Sequence, residues 1–248
     1  MRICISRIDL ADEAQEEALF RLHDAHFTNL RREKFHQDFR EKDWLISARD
    51  STGDYVAFST IKYYFSTIDY PEPGGRAAII FSGDTVVRPD YWSANLVARP
   101  FAAFLKQAMD GGLGKSDTGL PLYWFLLSKG YRTYMFMPAF FKSYYPGPQA
   151  DGQEFKPILD RLARERYGDM YDPASGIMSP GDRADALRPE LAEVPESRRG
   201  GRHVSFFLER NPGYRLGNEL CCLTKVERSN IKPAGLGILD FEGFEWLE

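Results

Sequence analysis

The chain has 248 residues, of which 43% are hydrophobic and 14% aromatic, and a formal net charge of −4. That length fits one large domain or a domain with a substantial appendage, and the apolar content is ample for a packed core. The acidic balance excludes a surface that is basic all round, so a general nucleic-acid footprint is not expected.

Acidic residues crowd the start of Ala11–Asn29 behind a capping Asp12. Ala18, Leu19, Leu22 and Phe27 form an apolar stripe, so this segment is expected to be a helix. A second short helix is expected over Glu33–Glu41. Residues 44–48 and 55–65 flank Asp50-Ser51-Thr52-Gly53-Asp54 and form a predicted hairpin. A Pro- and Gly-containing loop at 69–75 leads to the β-branched strand 77–87. Residues 88–95 punctuate it, Leu96–Met109 has helical spacing, and Asp110-Gly111-Gly112 stops that helix. A second apolar run, 122–127, leads into an aromatic helix expected over Met135–Tyr145.

Pro146-Gly147-Pro148 breaks the chain, and Glu154–Tyr167 resumes helical periodicity. Residues 168–202 form a long excursion rich in Gly, Pro, Asp and Arg. His203–Arg210 and Gly217–Val226 are expected to close the domain as a β-hairpin, with the aromatics of 241–246 docking on the body. Cys221 and Cys222, neighbours on the second of these strands, point to opposite faces. Their one companion, Cys4, leaves an odd number, and no Cys/His spacing for zinc occurs, so a reduced protein without metal is expected. The segment Met-Arg-Ile-Cys-Ile-Ser-Arg is too short and charge-broken for a signal peptide, and no run reaches a membrane span; the expected location is cytoplasmic. The basic pairs Arg31-Arg32 and Arg198-Arg199 read as solvated faces.

This element order, with the stretch Val86-Val87-Arg88-Pro89-Asp90-Tyr91-Trp92-Ser93-Ala94-Asn95-Leu96-Val97, resembles the GNAT superfamily of N-acetyltransferases over roughly 1–145 plus 203–227. The resemblance implies an α+β fold: a mixed, mostly antiparallel central sheet flanked by helices, with a long insertion before the closing hairpin. The corresponding divisions are a core at 1–146, an insertion or lid at 147–202, and a hairpin and tail at 203–248. It also implies that Val86, Val87, Trp92, Ser93, Asn95 and Leu96 contact an acyl-CoA. The turn departs from the family, with Asn95 and Val97 at glycine positions and Trp92 at a basic one. Glycine serves there because backbone must approach phosphate closely.

Acyl transfer from a thioester to an amine needs a base, donors to the thioester oxygen and an acid for the departing thiolate. The resemblance offers Asp84 as base and Tyr144 as acid. Asp84 is equally readable as a strand-end carboxylate bonded to nearby backbone, with Gly83 beside it marking a bulge. Tyr144 reads first as a core or rim aromatic, Ser93 or Asn95 as an ordinary helix cap, and His23 and His26 as exposed or satisfied polar residues.

The expected function is therefore an acyltransferase with no tightly bound cofactor. Its co-substrate is a thioester on CoA or on acyl carrier protein, its acceptor a small-molecule amine, and an apolar pocket lined by aromatics of 58–65 and 123–141 holds a bulky acyl group. The alternatives are a GNAT-like scaffold without catalysis, and an unrelated α+β enzyme with a cysteine or histidine centre.

Overall fold

The computed structural model describes residues 1–68, 75–113 and 119–247. The loop expected at 69–75 lies, apart from Gly75, outside them. Chain order begins with β1 (Arg2–Arg7), α1 (Glu13–Asp24), α2 (Arg32–Arg40), β2 (Trp44–Arg49), β3 (Tyr55–Ile68) and β4 (Gly75–Val87). Then come α3 (Ala98–Met109), β5 (Leu122–Ser128), α4 (Lys156–Tyr167), β6 (Tyr171–Asp172) and β7 (Ile177–Met178). The chain closes with α5 (Arg202–Arg210), β8 (Glu219–Lys225) and β9 (Glu245–Leu247). Asp12 caps α1 as expected, accepting from the Gln15 N–H at 2.7 Å.

The strands form one sheet in the order β9-β1-β2-β3-β4-β5-β8-β7-β6. The pairs β4–β5 and β1–β9 are parallel and the others antiparallel. Both faces are covered, so the central strands are apolar on alternating residues in both directions. Ala78, Ile80, Trp124, Leu126, Leu220 and Cys222 pack toward α3 and α5. Ile79, Phe81, Tyr123, Phe125, Cys221 and Leu223 pack against α4. The two neighbouring cysteines thus do face opposite ways. Trp246 docks with its ring centroid 5.3 Å from that of Trp44, which anchors the tail.

Two local expectations fail for identifiable reasons. Residues 203–210 are not a strand: Arg202–Arg210 is helical, with Val204 and Phe207 buried one turn apart in the main core. That spacing favours a helix over a strand. No hairpin therefore closes the sheet; β8 pairs with β5 on one side and with β7, from the insertion, on the other.

The aromatic helix also ends early. Short helical turns at Tyr131–Tyr134 and Phe136–Phe140 give way to extended chain at Phe141. Tyr145 precedes Pro146, which disfavours helical backbone, and it bridges to Leu223 through N–H···O contacts of 2.8 and 2.7 Å. Tyr144 and Tyr145 consequently enter the cores on opposite faces of the sheet. The segment 147–202 supplies a covering helix, α4, two short strands of the main sheet, and Ala186–Leu187, which pairs with Phe27–Thr28 as a separate two-stranded sheet.

Candidate active site

Two features of β4 create the site. Opposite Thr60 the register slips, so that Ser59 pairs with Thr85 but Ile61 pairs with Ser82. Gly83 and Asp84 are the bulged residues, and a bulge bends and twists its strand. A side chain at Gly83 would collide with the Thr60 hydroxyl and, at 2.7 Å, with the Lys42 stem. Immediately before this bulge β4 and β5 part, their last pair being Ser82 and Leu126. Beyond it β4 stays with β3 while β5 ends at Ser128, and the strands leave a gap.

A cavity of about 640 Å3 fills that gap. Thr85, Val86, Val87 and the turn through Ala98 make one wall, and Gly130–Thr133 with Met135 and Phe136 make the other. His26, Phe27 and residues from Leu187 to Arg198 of the insertion also line it. Val86, Val87, Trp92, Ser93, Asn95 and Leu96 all border this one space. Asn95 adopts the left-handed region, φ 53°, which asparagine tolerates better than most residues. Val97 stays right-handed at φ −104°, so the turn asks nothing unusual of it.

The Arg88 N–H points to β3, donating to the Val56 carbonyl at 2.9 Å. Backbone direction alternates along a strand, so the Val87 N–H points into the gap. The Val87 carbonyl accepts from the Trp92 indole at 2.9 Å, pinning that ring at the cavity edge.

Asp84 lies behind the cavity wall rather than in it. Its carboxylate is about one-third exposed and stands 3.7 Å from His23 Nδ1. His23 is neither the exposed nor the satisfied polar residue expected from sequence: it is buried among Phe27, Phe35 and Phe58, with Nδ1 lacking a hydrogen-bond partner. Burial lowers its pKa, outweighing the nearby Asp84 and Asp185 carboxylates. His26 is also buried; its Nδ1 contacts the Leu22 carbonyl at 2.7 Å and its Nε2 has no partner.

Lys42 packs beside the bulge and donates to the Asp38 carbonyl at 2.7 Å, with burial lowering its pKa. Past the end of β5, Lys129 meets Asp185 of the insertion at 2.5 Å and Glu219 of β8 at 3.6 Å. Burial alone would lower the Lys129 pKa, but those two carboxylates raise it. Asp185, despite burial, is held well below the ordinary carboxylate range by Lys129. Glu219, the more distant partner, is raised by burial.

Tyr144 is not brought to the cavity. It is buried in the main core, its hydroxyl 3.0 Å from His203 Nδ1, and burial pushes its pKa up to about 12. Tyr131 lines the cavity instead. The aromatics of 58–65 and 123–125 do not line it, and Phe58, Tyr123, Trp124 and Phe125 are core residues. Lys129, Asp185, Arg132, Arg198 and His26 were not assigned to the site from sequence. Of these, Arg132, Arg198 and His26 line the cavity, while Lys129 and Asp185 pair outside its lining, and no local motif marks them.

Among the described residues no His/Cys/Asp/Glu group could hold a metal, and no helix is long and apolar enough to cross a membrane.

The fold is α+β as expected, with a mostly antiparallel sheet flanked by helices. No protein-family model matches the chain, and no curated protein matches it. Among solved structures it is similar to a conserved protein of unknown function from Enterococcus faecalis V583, a probable N-acyltransferase. Identity there is 10%, over 58% of this chain and 33% of that one, with a TM-score of 0.40. It is similar to the GNAT family N-acetyltransferase YhbS from Escherichia coli in complex with CoA, at 13% identity over 52% of this chain and 64% of that one, TM-score 0.35. A third is an aminoglycoside 6'-N-acetyltransferase complexed with coenzyme A, at 8% identity over 90% and 97% of the two chains, TM-score 0.39. This chain therefore spans about a third of the length of the first of these structures and just under two thirds of the second.

Proposed function

We propose that this protein is an acyltransferase that moves an acyl group from a CoA thioester to an amine, with the donor seated in the gap between β4 and β5. The observation that carries the reading is that gap: a parallel pair parts at Ser82 and Leu126, and a cavity of about 640 Å3 opens between it and a turn that starts a helix. Cavities of this size at such a divergence suit a small-molecule co-substrate.

In this reading the Val87 N–H holds the thioester oxygen as charge develops on it. The amine nitrogen bonds to the thioester carbon, its proton passes to the Asp84 region, and the C–S bond breaks. Tyr131, on the cavity wall, is the donor placed to return a proton to the thiolate; Tyr144 serves the core. The segment from Leu187 to Arg198 covers the cavity and limits water.

A second reading, a binding protein that keeps the fold without the chemistry, is favoured by the turn's lack of glycine at Asn95 and Val97. A thermal-shift series with CoA, acetyl-CoA and longer acyl-CoAs separates the two from an unrelated activity. A ligand at a hundred times its dissociation constant stabilises by about 2.7 kcal/mol, which is roughly 2–4 °C per kcal/mol for a chain of this size. No shift with any member of the series would sink the acyl-CoA reading. A shift without turnover toward any amine would leave the binding protein.

A further inference from the structure

The cavity wall has a charge signature that the turn sequence does not announce. Two of its lining side chains are arginines, Arg132 and Arg198, and none is a carboxylate. Most charged clusters in this chain are self-neutralised: Arg88 meets Asp90 at 2.6 Å, and Arg166 meets Glu41 at 2.8 Å. Among the described residues, neither Arg132 nor Arg198 has a carboxylate within ion-pair distance, in a chain whose net charge is −4. Both border one cavity that no carboxylate lines.

Arg132 is also held in a defined pose. Its guanidinium lies 3.9 Å from the Trp92 ring centroid and 4.8 Å from that of Tyr131, and its one hydrogen bond is a long 3.5 Å contact to the Leu191 carbonyl. Trp92 is fixed in turn through its indole N–H on the Val87 carbonyl. Stacking satisfies the flat faces of a guanidinium and leaves its rim of N–H donors for an in-plane acceptor. Paired anionic oxygens match that fork better than any neutral group does. Arg198, from the insertion, lines the same cavity.

We propose that Arg132, seated on Trp92, and Arg198 form a clamp for the diphosphate of coenzyme A, doing by side chains what a glycine-rich turn does by backbone. This rests on the acyl-CoA reading above but is separable from it. Trp92 is then a positioning residue, and the insertion closes on the donor through Arg198.

Isothermal titration with CoA, pantetheine and inorganic pyrophosphate tests it, at two salt concentrations, on the full chain and on Arg132→Met, Arg132→Lys and Arg198→Met. The expected result is that wild type binds CoA more tightly than pantetheine, and that Arg132→Met loses CoA affinity on the order of ten- to a hundredfold with a weaker salt dependence. Arg132→Lys recovers only part of the loss, since an ammonium keeps charge but not the fork. Pantetheine affinity stays the same in Arg132→Met, and pyrophosphate displaces CoA from wild type only. Unaltered melting temperatures show that the variants are folded. Equal CoA affinity in wild type, Arg132→Met and Arg198→Met overturns the clamp and leaves the acyl-CoA reading standing. Pyrophosphate binding that needs Arg132, without binding of CoA or pantetheine, overturns the acyl-CoA reading and leaves an anion clamp. Binding of none of the three overturns both.

Discussion

His23 Nδ1 and Asp84 Oδ2 face each other at 3.7 Å where α1 crosses the bulge of β4, the imidazole buried and the carboxylate partly exposed. The separation is too long for a hydrogen bond, yet the carboxylate is the nearest group able to balance charge on that ring. Asp84 thus stands between the cavity and a cage of aromatic rings.

Replacing Asp84 by asparagine keeps its shape and removes its charge. Turnover by this variant is expected to fall on the order of 10²-fold or more, as when a general base is lost, with the melting temperature nearly unchanged. Steady-state kinetics on the first amine found to react will show it. Unchanged turnover would remove Asp84 from the mechanism.

His23 makes stability sensitive to pH. Its folded pKa lies below the unfolded value of about 6.5 because burial penalises the charged ring. The unfolded chain therefore takes up the proton first as pH falls. The stability contributed by the neutral ring is whole above the unfolded value and declines below it. His203 is shifted the same way, by burial and by Lys232 and Arg202, so the informative quantity is a difference between variants. His23→Phe, which completes the cage of Phe27, Phe35 and Phe58, is expected to lose less stability than wild type between about pH 7 and pH 5. Urea midpoints across that range measure it; parallel curves for the two proteins would rule His23 out.

Lys129 ties the end of β5 to Asp185 of the insertion and Glu219 of β8. Lys129→Met leaves Glu219 without its cation and Asp185 with Lys34, at 3.2 Å, and breaking such a buried pair costs about 3–5 kcal/mol. Because the Asp185 pKa is depressed, its contribution is present above the ordinary carboxylate range and is lost as pH falls through its folded value. The gap between wild type and Lys129→Met should therefore narrow in acid. Denaturant titrations near neutrality and near pH 2 check this, and a gap that stays constant would show that the network acts through packing alone.

Tyr131 and Tyr144 separate the cavity from the core. Tyr131→Phe is expected to lower turnover about tenfold or more if it is the acid. Tyr144→Phe should cost about 1 kcal/mol of stability through its contact with His203, with turnover close to wild type. The opposite pattern would move the acid to the Tyr144 side.

The α+β layout was legible in the chain because it is written in local periodicity. Short apolar and β-branched runs bounded by turn residues mark β2, β3 and β4, helical spacing marks α1 and α3, and Asp12 and Asp110-Gly111 punctuate them. The turn from Val86 to Leu96 was legible as well, since a strand, a turn and a helix start lie together in sequence and must lie together in space. Local pattern misled at 203–210, where an apolar run fits either period and burial of Val204 and Phe207 one turn apart favoured the helix. It misled at Tyr144 because Pro146 and the bridge to Leu223 pull that segment out of the aromatic helix. What only the tertiary structure decided is the charge of the site. Arg132 and Arg198 reach the cavity from separate elements, and Lys129, Asp185 and Glu219 meet outside its lining. No spacing rule records such meetings, because electrostatic partners are chosen by distance in space and burial, not by distance along the chain.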